Sequence, residues 1–186
     1  MSPKNILVLT SIFILVGCGG GSGTSTPTVA SFELLDPNAA ANNGFGYITR
    51  TLANGNIVVA NPLDDTVATN AGAVHLYNPF TKAVIASFYG DNANDQLGES
   101  SVTALGNNNF VIASRRDDVN SVTDAGSVML VSGTTGVQIG TTIAGDTASD
   151  FLGINGVTAL GSNNFVIASA YDDVNSVVNA GSVMLV

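Results

Sequence analysis

The sequence predicts an all-β protein built from repeated four-stranded antiparallel units, in the arrangement of a β-propeller. Two features of composition favour this class: glycine is abundant, with 21 residues, and tryptophan is absent. Short runs of Val, Ile and Thr alternate with turns that contain Gly and Asn, as in β-rich domains. Blocks of sequence also recur at a spacing of 55 residues, as in Val102 and Val157. Internal periods of this size are typical of repeat architectures.

The repeat domain is predicted to cover residues 34–186. Its two later copies agree over long stretches, and the first copy is more divergent. We therefore expect three units with similar folds, bounded at about residues 34–89, 90–144 and 145–186. The segments shared by the later copies are residues 102–106, 108–114, 117–122 and 125–131, which recur at 157–161, 163–169, 172–177 and 180–186.

Each unit carries four candidate strands joined by tight turns. The segment 106–109 reads Gly-Asn-Asn-Asn, and both residue types tolerate the positive φ of hairpin turns. The segment 110–113 is apolar on both faces, as expected when a sheet packs between two neighbouring sheets. Four antiparallel strands per unit, stacked radially, form a β-propeller, although a β-solenoid or an open sandwich can use the same hairpins. In the middle unit the predicted strands are residues 101–105, 110–114, 127–131 and 137–143.

The N-terminus has the pattern of a secretory signal peptide over residues 1–17. One positive charge, Lys4, precedes an apolar run over residues 6–16. This run is too short to span a bilayer as a helix, which takes about 20 residues. Residues 15–18 then read Leu-Val-Gly-Cys, which resembles the bacterial lipobox. The resemblance implies cleavage after residue 17 and diacylation of Cys18, and a buried N-terminal helix with a chance cysteine is the alternative.

Residues 18–33 are predicted to form the lipidated Cys18 and a flexible tether. Gly, Ser and Thr follow Cys18 in a run that cannot bury an apolar face. Gly19 and Gly20 stand where aspartate signals inner-membrane retention in enterobacterial lipoproteins. The lipobox resemblance therefore implies a lipid-anchored protein of the cell envelope, located at the outer membrane. Cys18 is the only cysteine, so an exported chain of this sequence has no internal disulfide.

The charge balance excludes partners that require a basic surface. The chain carries 5 basic and 14 acidic residues, and removal of residues 1–17 takes away Lys4. Nucleic acid and anionic lipid headgroups both attract clustered Lys and Arg. We therefore expect no nucleic-acid partner, and contact with the membrane through the lipid anchor.

Several short motifs recur in the units. Phe45, Leu97 and Leu152 each precede a glycine before a first strand, paired aspartates follow the second strand, and Ala-Gly-Ser-Val opens the third strand of the later units. Together these motifs resemble FG-GAP repeats, the blades of the integrin α-chain propeller and of many bacterial surface proteins. The resemblance covers residues 34–186 and implies a propeller that binds at the cell surface. The DxDxDG loop of the calcium-bearing members is absent from each unit.

The sequence ends at Val186, inside the predicted third strand of the last unit. A closed propeller takes 4–8 blades, whereas two full units and most of a third are present. We expect an incomplete propeller that is a fragment of a closed one, because an unpaired apolar strand edge is a liability for aggregation. Completion by other chains and a truncated product are the alternatives.

The acidic loops that follow each second strand are candidate calcium sites. The spacing of Asp118 and Asn120 points alternate side-chain oxygens in one direction, as at the start of an oxygen-lined calcium loop. Calcium takes about 6–8 oxygens, more than the side chains of one loop supply. We favour the alternative that these side chains cap backbone amides in Asx turns. The candidate ligands are Asp117, Asp118, Asn120 and Asp124 in the middle unit, and Asp172, Asp173, Asn175 and Asn179 in the last.

The remaining titratable residues favour no catalytic site. The only histidine, His75, shares a strand face with Tyr77 and is predicted to be exposed, without a thiol or second imidazole as a partner. Carboxylates are copied from unit to unit, whereas an active site is normally asymmetric. A second acidic set is interpreted as solvated loops, and it comprises Asp91 with Asp95 and Asp146 with Asp150.

These observations predict a non-enzymatic envelope lipoprotein whose repeats form a binding or adhesion platform. The expected partner is an extracellular protein or a glycan. Two alternatives remain open. The chain could be part of a larger propeller hydrolase or lyase with its active site elsewhere, or a truncated product without a function of its own.

Overall fold

The chain folds into three antiparallel β-sheets, which the computed structural model describes over residues 31–162 and 164–186. The predicted signal peptide, Cys18 and the tether up to residue 30 lie outside the described residues. Within the described ranges there is no helix, and so none with the length and hydropathy that a membrane crossing requires.

Each sheet is a simple meander in which strands that follow one another along the chain are hydrogen-bonded neighbours. The first two sheets have four strands each, in the orders β1-β2-β3-β4 and β5-β6-β7-β8, and the third has the order β9-β10-β11. The strands are β1 Ile48–Thr51, β2 Ile57–Asn61, β3 Ala73–Asn78, β4 Ala83–Tyr89, β5 Ser101–Ala104, β6 Asn109–Ser114, β7 Ser127–Ser132, β8 Ile143–Ala144, β9 Val157–Leu160, β10 Asn164–Ser169 and β11 Ser182–Leu185.

The three sheets stack in the manner of propeller blades. The first strand of each sheet lies against the first strand of the next, β1 against β5 and β5 against β9. The sheets of the described part do not close into a barrel. The predicted fold class is therefore confirmed as an all-β, incomplete propeller-like arrangement of antiparallel meanders.

Two apolar cores hold the stack together, one on each face of the middle sheet. Phe110 and Ile112 of β6 pack with Val58 and Leu76 of the first sheet. Side chains that alternate with them along β6 pack with Phe165 and other residues of the third sheet. The prediction that this strand is apolar on both faces because it lies between two sheets is confirmed, and both sets of side chains are fully buried.

The fourth strand of the middle sheet differs from the prediction of residues 137–143. Only Ile143–Ala144 forms a regular strand, and an isolated bridge joins Gln138 to Val131. Gly140, which lies between these two points, has a left-handed φ of 72°. Such a backbone interrupts the extended conformation, so the predicted strand is broken in its centre.

The first sheet is covered on its other face by the segment that precedes β1. The Tyr77 hydroxyl donates a hydrogen bond to the Leu35 carbonyl at 2.8 Å. The Phe45 ring lies 6.2 Å from the rings of both His75 and Tyr77. This segment thus packs on the first sheet on the face opposite the second sheet, and it brings polar residues to that face.

Candidate functional site

Two kinds of loop meet where one sheet adjoins the next, and together they form the candidate site. The acidic loop joins the second and third strands of a sheet, at residues 62–72, 115–126 and 170–181. The junction loop leads from one sheet to the next, at residues 90–100 and 145–156. Because both loops are copied, any site that they form is repeated along the chain.

The second aspartate of each acidic loop caps that same loop. The Asp118 carboxylate accepts a hydrogen bond from the Asp124 backbone amide at 2.7 Å. Asp124 itself has a left-handed φ of 51°, which the bond helps to hold. The favoured alternative predicts this capping of a backbone amide, but the bond spans six residues rather than the two of an Asx turn. The same bond joins Asp173 to the Asn179 amide and Asp65 to the Asn70 amide, each at 2.7 Å.

Asn120 and Asn175 occupy equivalent turns in the acidic loops. Both have a left-handed φ, of 52° and 53°. Asparagine adopts this conformation at lower cost than most residues, so its presence at these two positions matches the backbone. Calcium binding by these loops stays a prediction.

The first aspartate of each acidic loop lies with carboxylates of the junction loop. One oxygen each of Asp117, Asp91 and Asp95 lie within 4.8 Å of one another. The equivalent group in the third sheet is Asp172 with Asp146 and Asp150. The sequence analysis treated the acidic-loop aspartates and the junction-loop aspartates as separate sets. The fold brings the first aspartate of each acidic loop together with the two aspartates of the junction loop.

The prediction that the junction-loop aspartates are solvated is wrong for Asp95. Its side chain is buried, with 1% of its surface exposed. One carboxylate oxygen accepts hydrogen bonds from the amides of Asp91, at 3.1 Å, and Asn92, at 2.6 Å. The other oxygen accepts one from the Asp118 amide at 3.3 Å. Asp95 therefore ties the junction loop to the acidic loop, which is a structural demand that the sequence pattern did not reveal.

Asp150 makes the same connection in the third sheet and is also 1% exposed. It accepts hydrogen bonds from the amides of Asp146, at 3.0 Å, and Thr147, at 2.7 Å. Its other oxygen accepts one from the Asp173 amide at 3.2 Å, and the Thr147 hydroxyl adds a further bond. The solvated-loop prediction is wrong here for the same reason, whereas Asp91 and Asp146 are exposed as predicted.

The two buried carboxyls differ in pKa because their hydrogen bonds differ and because the charges of Asp117 and Asp91 raise the pKa of Asp95. Burial raises the pKa of Asp95 to about 6, against the opposing effect of the Asn92 and Asp118 amides. Burial acts in the same direction on Asp150, but the Thr147 hydroxyl and three backbone amides together lower its pKa. Asn92 stands at the position of Thr147 in the second sheet and supplies no hydroxyl there.

Replacing Asn92 with threonine is therefore expected to lower the pKa of Asp95 below about 6, and carbon-13 NMR titration of its carboxyl measures this. In the wild type the folded pKa of about 6 lies above the ordinary 3.8, so the stability that Asp95 contributes is full below pH 3.8 and is lost as the pH rises through about 6. Asn92→Thr should reduce that loss in denaturation series at pH 4 and pH 7.

Asn94→Ser is the matched control. It also introduces the residue type found at the equivalent position of the second junction loop, where Ser149 stands, and it changes no hydrogen bond to Asp95. The pKa of Asp95 should stay at about 6 in this variant. An unchanged pKa in Asn92→Thr, or an equal shift in both variants, would contradict the assignment of the difference to the hydroxyl.

A cleft opens beside each junction between sheets, with carboxylates on its walls. The cleft between the first and second sheets has a volume of 330 Å³. The cleft at the equivalent place on the third sheet has a volume of 290 Å³. Equivalent residues line both, among them Asp91, Asp117 and Met129 in the first cleft and Asp146, Asp172 and Met184 in the second.

Residues 51–99 and 104–153 each match a protein family described as a repeat of unknown function (DUF5650). The two matches together cover more than half of the chain. The chain belongs to this repeat family. A comparison with curated proteins finds no match.

The boundaries of the DUF5650 repeats show that the first cleft needs two successive repeats. The first repeat ends at residue 99 and so includes the junction loop with Asp91 and Asp95. The second repeat begins at residue 104 and supplies the acidic loop with Asp117. The 330 Å³ cleft therefore lies between DUF5650 repeats, with one wall from each.

One charged pair distinguishes the junction of the first and second sheets. Arg115 donates two hydrogen bonds to the Glu99 carboxylate, at 2.9 and 3.0 Å. In the third sheet the two equivalent positions hold Ala170 and Ile154, so both partners of the pair are exchanged together. Arg115 thus has a structural partner in the protein.

His75 is the largest departure from the sequence analysis in this region. It was predicted to be exposed, but it lies on β3 with no exposed surface, beneath the segment that precedes β1. Its ring lies 6.3 Å from that of Tyr77, so the predicted shared face is confirmed. Burial lowers the pKa of His75, while the charges of Asp36 and Asp64 oppose this effect. The internal repeat held a signal for this burial, since the positions equivalent to His75 hold the apolar residues Met129 and Met184.

Proposed function

We propose that this chain is an exported lipoprotein whose DUF5650 repeats form a non-enzymatic binding and adhesion platform at the cell envelope. The lipid on Cys18 anchors it, and the clefts between successive repeats bind cationic groups on an extracellular protein or glycan. The observation that carries this proposal is the copied cleft, with carboxylates at equivalent places in two successive junctions.

Copying supports binding over catalysis. A catalytic centre needs one asymmetric set of groups, whereas a platform gains strength from several weak, similar contacts that act together. The clefts repeat the same aspartates, and the chain's only histidine is buried away from them. The resemblance to FG-GAP repeats, drawn from the recurring motifs, points in the same direction.

The charge of the chain sets the chemistry of the partner. The formal net charge is −9 at pH 7, and Asp91 and Asp146 are exposed at the mouths of the two clefts. Carboxylates of this kind attract ammonium and guanidinium groups and increase the rate of encounter. We therefore infer a partner that presents lysine or arginine side chains, or amino sugars.

The test uses the full chain reconstituted through its lipid into supported bilayers, and surface plasmon resonance measures the binding. The probes are lysine-rich peptides and deacetylated amino-sugar oligomers, each with a neutral counterpart of equal length. We expect saturable binding of the cationic probes that weakens as salt is added. The double variant Asp91→Asn with Asp146→Asn should weaken this binding about two- to thirty-fold, since each of the two exposed ion pairs contributes about 0.2–1 kcal/mol.

The control variant is Glu33→Gln, which removes one exposed carboxylate that does not line either cleft. It should leave the affinity within two-fold of the wild type, whereas Asp91→Asn and Asp146→Asn should each weaken it. Binding of cationic and neutral probes alike, or equal effects of all three single variants, would sink the proposal.

A further inference from the structure

The first sheet holds a group of side chains that the other two sheets do not repeat. One ring nitrogen of His75 and one carboxylate oxygen each of Asp36 and Asp64 lie within 4.8 Å of one another. Asp64 is 1% exposed and His75 is fully buried, while Asp36 is half-buried on the segment that precedes β1. Asp64 is the first aspartate of its acidic loop and corresponds to Asp117 and Asp172.

The imidazole of His75 is held at one nitrogen and left without a partner at the other. Nδ1 lies 2.8 Å from the Ser87 hydroxyl. Nε2 is buried, and no group of the described residues forms a hydrogen bond with it. A buried polar atom without a partner costs about 1–3 kcal/mol, and such atoms are rare in native proteins unless a water, an ion or another ligand satisfies them.

A second buried polar atom without a partner belongs to the residue that bridges the two carboxylates. The Asn61 side-chain amide donates hydrogen bonds of 3.0 Å to one oxygen of Asp36 and one of Asp64. Its own carbonyl oxygen is buried without a hydrogen-bond partner among the described residues. The Asn43 amide adds a bond to Asp36 at 2.7 Å, and the Thr66 backbone amide adds one to Asp64 at 2.8 Å. The three groups that donate these four hydrogen bonds are neutral, so they position the carboxylates without cancelling their charge.

We propose that Asp36, Asp64 and His75 bind a divalent first-row transition metal, with Zn²⁺ as the best fit. Zn²⁺ takes imidazole nitrogen together with carboxylate oxygen and needs three or four such ligands. Ca²⁺ and Mg²⁺ prefer oxygen alone, so the histidine separates this site from the all-carboxylate groups of the other sheets. The contact between Nδ1 and Ser87 fixes the ring orientation and leaves Nε2 as the metal-binding nitrogen, the arrangement common for ligating histidines.

The metal would also have a structural effect, because its ligands come from separate parts of the chain. Asp36 lies on the segment before β1, His75 on β3, and Asp64 on the acidic loop between β2 and β3. Binding joins these parts across the face of the first sheet. Since a ligand that binds only the folded state stabilises it, Zn²⁺ should raise the melting temperature of the protein by roughly 5–10 °C.

The repeats supply matched variants for the test. His75→Met introduces the residue that Met129 and Met184 hold in the other sheets, so the new side chain suits this strand position. Asp117→Asn is the control, because it removes the equivalent of Asp64 from a carboxylate group that has no histidine. Each full-length variant is stripped with a chelator and titrated with ZnCl₂ by isothermal calorimetry.

We expect one Zn²⁺ per chain in the wild type and in Asp117→Asn, and at least 100-fold weaker binding in His75→Met. X-ray absorption of the zinc complex should show one nitrogen and at least two oxygen ligands. If His75→Met fails to fold, Asp36→Asn provides the same test from the half-buried segment and should also weaken binding. Undiminished zinc binding in a folded His75→Met or Asp36→Asn, loss of binding in Asp117→Asn, or equal affinity for CaCl₂ would overturn the proposal.

Discussion

Replacing Phe110 with alanine is expected to lower the free energy of unfolding by about 3–5 kcal/mol, the range typical of a buried phenylalanine. Phe110 lies on β6 with no exposed surface and packs in the core between the first and second sheets. Its ring meets that of Phe88 edge to face, with centroids 6.3 Å apart. Truncation would open a cavity at the centre of this interface, so the loss exceeds that of the apolar transfer alone.

Urea denaturation of the full-length protein measures this change, and Phe80→Ala is the matched control. Phe80 lies in the turn between β3 and β4 and is 86% exposed, so its truncation should change the stability by less than about 0.5 kcal/mol. Similar losses in the two variants would mean that the first two sheets do not share a packed core.

Gly126→Ala is expected to cost about 3 kcal/mol, and the reason is the close contact between the acidic loop and the junction loop that follows it. Gly126 has a left-handed φ of 76°. A Cβ built there would lie 2.4 Å from the backbone nitrogen of Leu152 and 2.7 Å from its carbonyl oxygen. Leu152 belongs to the junction loop, and its amide donates to the Ala125 carbonyl at 2.9 Å. The added methyl would therefore force two hydrogen-bonded segments of backbone apart.

The control is Gly140→Ala, which separates the conformational cost from the steric one. Gly140 has a similar φ of 72°, but nothing lies within 4 Å of a Cβ there. Its replacement should cost only the roughly 1–2 kcal/mol of a left-handed alanine, and the close contact should add about 1–3 kcal/mol at Gly126. Equal melting temperatures for the two variants would show that the acidic loop and the junction loop do not approach each other closely at Gly126.

The repeated features of the fold were predictable because they are local or periodic. The Asn-rich turn before β6 contains Asn108 with a φ of 69°, as its residue type indicated. The apolar pattern of β6 on both faces indicated a sheet between two others, which the two cores confirm. These predictions depend on a short stretch of chain and its immediate neighbours, and the internal repeat tests each of them more than once.

Features that depend on contacts between distant segments were predicted wrongly. Asp95 and Asp150 lie in polar loops that suggest exposure to solvent. Each is nevertheless buried and accepts a hydrogen bond from the backbone amide of a loop that lies elsewhere in the sequence. The prediction that His75 is exposed was wrong because residues 35–47 cover this face of the first sheet, and no sequence pattern indicates this contact. The predicted fourth strand of the middle sheet is interrupted for a local reason, since Gly140 adopts a positive φ.

The candidate site was predictable only in part. Asp117 and Asp172 were singled out, yet their neighbours in space come from the junction loops rather than from the loops that contain them. Asp118 and Asp173 cap their own loops, in agreement with the favoured interpretation that these side chains cap backbone amides. The two adjacent aspartates of each acidic loop thus have different roles, which their spacing in the sequence does not distinguish.

The central claim is that the two equivalent clefts bind the same kind of cationic partner. Its most direct test is hydrogen–deuterium exchange of the full-length protein with and without a saturating lysine-rich peptide. We predict slower exchange at residues 90–97 and 117–120, and equally at the matching residues 145–152 and 172–175. Protection of only one of the two clefts, or of a surface outside both, would contradict the proposal of a repeated binding platform.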